Sequence, residues 1–226
     1  LTAGEGVSSV SASGTGVVET TTDDTTAVNK TYNVQYDAEV SLSATNATGY
    51  TLAGYSGNVV VSGDKFNMPA EAVALTALAT ADRYQIVLDL NAEGDTVSAT
   101  GAEVVDGKIT LYVQYNDTYG NLYTSATAST GETVVHLDEL KLQRTGHTFA
   151  GWFTTPIEAD GRVGTETEIT SATIFAQTSG VTIYAYWTIN TYTLTVEYKF
   201  HSESGETAYQ TATREVKFGA SETVVS

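Results

Sequence analysis

The chain has 226 residues, of which 41% are apolar and 16% charged, with a formal net charge of −17 and no cysteine. That apolar share can bury small cores, which excludes an acidic disordered tail. The acidic balance excludes binding to a nucleic-acid backbone, which needs clustered lysine and arginine, and docking on anionic membranes; the missing thiols exclude disulfides and thiolate metal sites. No apolar run approaches the length of a membrane span, and no signal peptide opens the chain. Because it begins at Leu1 inside an apparent strand and stops at Ser226 inside another element, it reads as a fragment of a longer protein.

The first unit spans residues 1–82. Gly4-Glu5-Gly6 and Gly14-Thr15-Gly16 read as turns around the run Val7 to Ser13, and Thr20 to Thr26, with Asp23-Asp24, reads as a polar loop. Tyr32, Val34 and Tyr36 alternate with polar residues, as do Val40, Leu42 and Ala44, the period-two signature of half-buried strands. Phe66-Asn67-Met68-Pro69-Ala70 reads as a tight turn, and Val73, Leu75 and Ala77 as a last strand leading to a linker at Ala81-Asp82.

The second unit spans residues 83–188. Tyr84, Ile86, Leu88 and Leu90 share one strand face, and Ile109, Leu111, Val113 and Tyr115 another, joined by a long connection from Asn91 to Gly107. Val134 to Leu142 is the best short-helix candidate, although its Val and Leu could equally extend a strand. A Gly- and Thr-rich loop runs to Thr170, and Val181, Ile183, Ala185 and Trp187 close the unit on one face. The third unit, 189–226, opens with the cleanest alternation in the chain, Tyr192, Leu194, Val196, Tyr198 and Phe200. Ser202 to Glu206 reads as its turn and Thr211 to Phe218 as the returning strand; because a lone hairpin is marginal in water, the whole either leans on the second unit or is poorly ordered.

Internal similarity organises this pattern. Thr145 to Phe153 reads T-G-H-T-F-A-G-W-F, and Thr48 to Gly54 reads T-G-Y-T-L-A-G, with Tyr55 standing where the later copy has Trp152. Two such copies indicate tandem β-rich units. The second unit resembles the internalin-type B repeat, also called the Listeria–Bacteroides repeat. The resemblance rests on Leu88 to Gly94, Thr118-Tyr119-Gly120-Asn121-Leu122, Arg144 to Trp152, and Tyr184-Ala185-Tyr186-Trp187, with His147 replacing the usual Tyr and two insertions lengthening the early loops. The first unit resembles the divergent form of the same repeat over Ala47 to Gly57 and Phe66 to Ala70, and the third resembles the start of another repeat or of a mucin-binding-protein module. The resemblance implies a mainly β, β-rich α+β fold of small β-grasp-like (ubiquitin-like) modules placed end to end, each a mixed sheet crossed by a short helix or loop. It also implies a secreted or wall-attached bacterial surface protein, whose repeats serve as stalks and sometimes in adhesion.

Candidate chemistry is sparse. Asp89-x-Asn91-x-Glu93-Gly94-Asp95 imitates half of a calcium loop, but Thr100 occupies the twelfth position, where an acidic residue is required. His136, His147 and His201 have unrelated spacings, and His147 reads as a stand-in for a packed Tyr. Gly54-Tyr55-Ser56-Gly57 lacks the spacing of a nucleophile elbow. Asn29, Asn46 and Asn116 occupy N-x-T sequons. Tyr112, Tyr184 and Tyr186 lie on the polar phase of their strands, where exposed rings could contact a glycan or protein. No catalytic, cofactor or metal residues are assigned, and the expected role is a non-catalytic spacer. The rival expectation is an adhesin-type module for a host protein or glycan. Expected partners are neighbouring repeats of the same chain, with no nucleic acid and no membrane insertion.

Overall fold

The computed structural model describes residues 1–20, 28–92, 94–157, 167–201, 203, 205 and 207–221. Asp23-Asp24, Glu93 and part of the turn from Ser202 to Glu206 lie outside the described residues. The fold is mainly β.

Residues up to Ala81 supply β1 (Thr2–Ala3), β2 (Val7–Ser13), β3 (Val17–Glu19), β4 (Tyr32–Val34), β5 (Glu39–Asn46), β6 (Tyr50–Gly57), β7 (Lys65–Asn67) and β8 (Leu75–Ala81). They pair as three small sheets, ordered β1-β8-β6, β2-β5-β7 and β3-β4. The alternation in β5 is real: Val40 and Leu42 are buried and pack on Phe66 and Leu75. Phe66 sits inside β7, so the expected turn begins later; Met68 still pairs with the strand edge, its N–H donating to Ala38 O at 3.0 Å. The alternation at Tyr32 and Val34 stops at Tyr36, which is exposed beside Asp37 at φ 61°. Val73 precedes the last strand rather than lying in it.

The next stretch supplies β9 (Arg83–Asp89), β10 (Val97–Thr100), β11 (Lys108–Gln114), β12 (Leu122–Tyr123), β13 (Val134–Val135), β14 (Lys141–Arg144), β15 (His147–Phe153), β16 (Glu168–Ile169) and β17 (Val181–Ile189). These make one mixed sheet ordered β10-β14-β15-β17-β9-β11-β12-β13, with β16 on β15. First and last strands, β9 and β17, are central and parallel. Their inward residues Ile86, Leu88, Ile183 and Ala185 meet Ile109, Leu111 and Val113 of β11 in the main core. The expected helix from Val134 to Leu142 is replaced by β13, one 3-10 turn (Leu137–Glu139) and β14, the turn being the only helical element among the described residues. Long-range pairing decides this, because Lys141 to Arg144 match Thr100 to Val97, and the middle of the long Asn91–Gly107 connection thereby becomes a strand. Leu137 and Leu140 are buried under the sheet, so the apolar spacing served the core without a helix.

One local feature recurs. β6 leaves register with β8 between Leu52 and Gly54, and β15 leaves register with β17 between Phe149 and Gly151. The two glycines sit at φ 126° and 137°, values that disfavour a side chain. The bulge puts both Phe149 and Trp152 on the core side, their ring centroids 5.3 Å apart, and Phe153 on the opposite face.

Beyond Asn190 the chain forms a hairpin, β18 (Thr191–His201) with β19 (Thr207–Lys217). Its apolar phase is uncovered, with Tyr192 53% and Phe200 49% exposed. Its contact with the preceding sheet is at its base, where Phe218 meets Gly146 and His147.

Candidate functional site

The tyrosines expected to form a contact surface separate into two places. Tyr112 pairs across to Tyr123 and Gln85 at one end of the large sheet. Tyr184 stands beside Phe153 and Asp89 toward the other end, next to Tyr186. Tyr186 meets Phe153 edge-on, centroids 6.0 Å apart. All three are half-buried, and Tyr186 packs on the buried Phe153 instead of standing free. The most exposed tyrosines, Tyr36, Tyr192 and Tyr209, belong to other elements.

The would-be calcium loop is organised by cations of the chain itself. Asp89 accepts the backbone N–H of Asn91 at 2.9 Å and forms an ion pair with Lys108 at 2.9 Å. Hydrogen bonding to Asp89 holds the Lys108 ammonium above its ordinary pKa, helped by the charge of Asp89. Asp95 is held by Arg144 at 2.7 Å. No group of three metal-capable side chains occurs among the described residues. Two histidines serve the backbone: Nδ1–H of His136 donates to Gly120 O and that of His147 to Thr145 O, each at 2.9 Å, while His201 Nδ1 lies 3.4 Å from Thr207 Oγ1 in the hairpin. His147 is not packed like a core Tyr; it lies half-buried, edge-on to Phe218 at 6.2 Å.

Two structural centres have no local sequence signal. Arg83 is almost buried, grips Glu132 with both guanidinium nitrogens and lies 3.6 Å from the Tyr123 ring centroid. The hydrogen bond from Arg83 holds the Glu132 carboxyl below the usual carboxylate range, and Glu132 raises Arg83 in turn. Phe175 is 1% exposed, with Tyr84 and Tyr119 rings around it, although the neighbouring Ile174 is 59% exposed. Burial raises the Tyr119 phenol.

A cleft of about 820 Å³ lies where the first sheets meet the large one, lined by Tyr50, Thr51, Asp82, Arg83, Tyr115 and Asp117 among others. Its polar groups are largely committed: Thr51 Oγ1 donates to Asp82 at 2.6 Å, and Asp117 accepts from Thr118 N–H and Asn121. No family model, curated protein or solved structure matches this chain.

Proposed function

We propose that this chain is a non-catalytic spacer, a stalk segment of a bacterial cell-surface protein. Its modules are internalin-type B repeats of β-grasp type, assigned to residues 1–82, 83–188 and the start of a third at 189–226. The observation that carries the reading is the brevity of the connections. β8 ends at Ala81 and β9 begins at Arg83; β17 ends at Ile189 and β18 begins at Thr191. One residue, Asp82 or Asn190, separates the sheets, so tension along the chain passes from strand to strand with no slack to extend.

Other features support it. The apolar clusters divide at the same place, since the main core draws on Tyr84 and later residues and the smaller ones on Ala79 and earlier. Each of the first two modules thus has apolar packing of its own, which suits a repeat array. The parallel central strands β9 and β17, with a crossing segment made of short strands and one 3-10 turn, suit the β-grasp assignment with a loop in place of the helix. The net charge of −17 suits solubility and mutual repulsion at a crowded surface. The adhesin reading needs a contiguous exposed aromatic patch, whereas Tyr112, Tyr184 and Tyr186 are half-buried and Tyr112 lies apart from the other two.

The test is replacement. Residues 1–188 are exchanged in the parent protein for unrelated β-modules of equal span, and adhesion or display is measured at matched surface abundance. The spacer reading predicts retained function. Loss of function at matched abundance refutes it and makes these modules the recognition surface.

A further inference from the structure

The two connections share more than their length. At the first, Asp82 N–H donates to Gly49 O at 2.8 Å, and Tyr115 N–H donates to Asp82 O at 2.8 Å. Thr51 Oγ1 donates to Asp82 Oδ1, and the Tyr115 ring lies on Gly49, where a Cβ would overlap it. Tyr50 meets the same ring edge-on at 5.7 Å. At the second, Asn190 N–H donates to Gly146 O at 2.9 Å, and Phe218 N–H donates to Asn190 O at 2.9 Å. Thr148 Oγ1 donates to Asn190 Oδ1 at 2.7 Å, and the Phe218 ring lies on Gly146 with His147 at its edge.

The hairpins that follow also agree. Counting from the connecting residue, Tyr84 pairs with Val113 and Ile86 with Leu111; Tyr192 pairs with Val216 and Leu194 with Arg214 in the same register. Tyr115 and Phe218 each stand two residues after the partner of that first tyrosine. The exposed hairpin 191–217 lacks a covered apolar face, yet its base is seated in the same way as the base of the fully packed sheet.

We propose that Thr-Gly-(Tyr or His)-Thr, at 48–51 and again at 145–148, is a docking seat for the module that follows. The partner it fits is a β-hairpin that begins with Asp or Asn and returns with an aromatic residue over the glycine. The main-chain carbonyl of the glycine and the second threonine hydroxyl read the Asx residue. The glycine leaves room for the ring, and the third residue of the seat flanks it. Asp and Asn are interchangeable because both offer Oδ1 to the threonine, so no charge is required. Two modules locked through these contacts hold a fixed orientation, whereas domain pairs with small interfaces move by default. This inference is independent of the spacer reading, because a binder could use the same seat.

Gly49 and Gly146 also have positive φ, 78° and 69°, so alanine would test the turn and the seat together. Asn tolerates this backbone region but still carries a Cβ, so Gly49→Asn isolates the seat. The chain has no cysteine, and Val60 and Val105 are 87% and 58% exposed, so Val60→Cys with Val105→Cys gives unique spin-label sites in the two modules. Double electron–electron resonance should give one narrow distance distribution in the otherwise native chain and in Asp82→Asn. Gly49→Asn and Tyr115→Ala should each widen it about twofold or more as the modules begin to move independently. Amide exchange in both cores should remain native. Should either variant unfold its module, Thr51→Val, a surface change that removes only the hydroxyl donor, carries the decision by widening or not. An unchanged width in these variants with the modules folded overturns the seat. That outcome would leave the module-replacement experiment, and with it the spacer reading, untouched.

Discussion

Replacing Trp152 by alanine is the most informative single perturbation of the large module. The indole is 4% exposed, lies edge-on to Phe149, and sits in β15 opposite Ala185 and Ile169. Removing roughly 250 Å² of aromatic surface from burial, at about 25 cal/mol per Å², bounds the loss near 6 kcal/mol against an extended unfolded chain. The collapsed denatured state lowers this and the residual cavity raises it, so about 3–5 kcal/mol is expected, a large part of a small domain's stability. The assay is urea unfolding. Trp152 and Trp187 are the only tryptophans, so fluorescence of the variant reports Trp187 alone, whose Nε1–H donates to Leu90 O at 2.7 Å in the same module. Amide exchange around Val40 and Leu42 reports the first module, whose cluster contains no residue of the second. A loss below about 1 kcal/mol would place Trp152 among surface positions and refute the packing argument. Equal loss of protection around Val40 would refute the separation of the cores.

The Arg83–Glu132 pair predicts a pH dependence. Because Glu132 titrates below its ordinary value in the folded chain, its contribution is complete above the unfolded carboxylate range near 4.5 and disappears as the pH falls through the depressed folded value. The native protein should therefore lose stability on acidification more steeply than Glu132→Gln, measured by thermal unfolding across that window; parallel slopes contradict this. Gly54→Ala meets open space, so its cost is backbone strain alone, about 1–3 kcal/mol by chemical denaturation. Gly151→Ala should cost more, since its Cβ would also press on Phe153 at 3.2 Å. Equal costs would mean that the Phe153 ring gives way freely.

Strict alternation was legible where both neighbours of a strand are close in sequence or the face is wholly buried. Ile86, Leu88, Ile109, Leu111 and Val113 are all at most 2% exposed, as their period-two spacing predicts. The same spacing at Tyr192 to Phe200 predicts a strand but says nothing of what covers it, and there the apolar phase stays in water. Val134 to Leu142 was ambiguous because the three-residue spacing of Leu137 and Leu140 fits a helix while its Val and Leu residues could equally extend a strand; distant pairing with Val97 to Thr100 decided it. Arg83 finds Glu132 across 49 residues, and no local pattern encodes such a meeting. The glycine motifs were visible as copies, but the rings that rest on Gly49 and Gly146 come from later strands, so their joining role emerges only in three dimensions.

Small-angle X-ray scattering of the 226-residue chain tests the central claim most directly. A compact globule of this length has a radius of gyration of about 17 Å, whereas modules locked end to end should give about 25 Å or more. A larger value that does not change with ionic strength is the expected result. A radius near the compact estimate would mean that the modules fold back on one another, and the spacer account would be wrong.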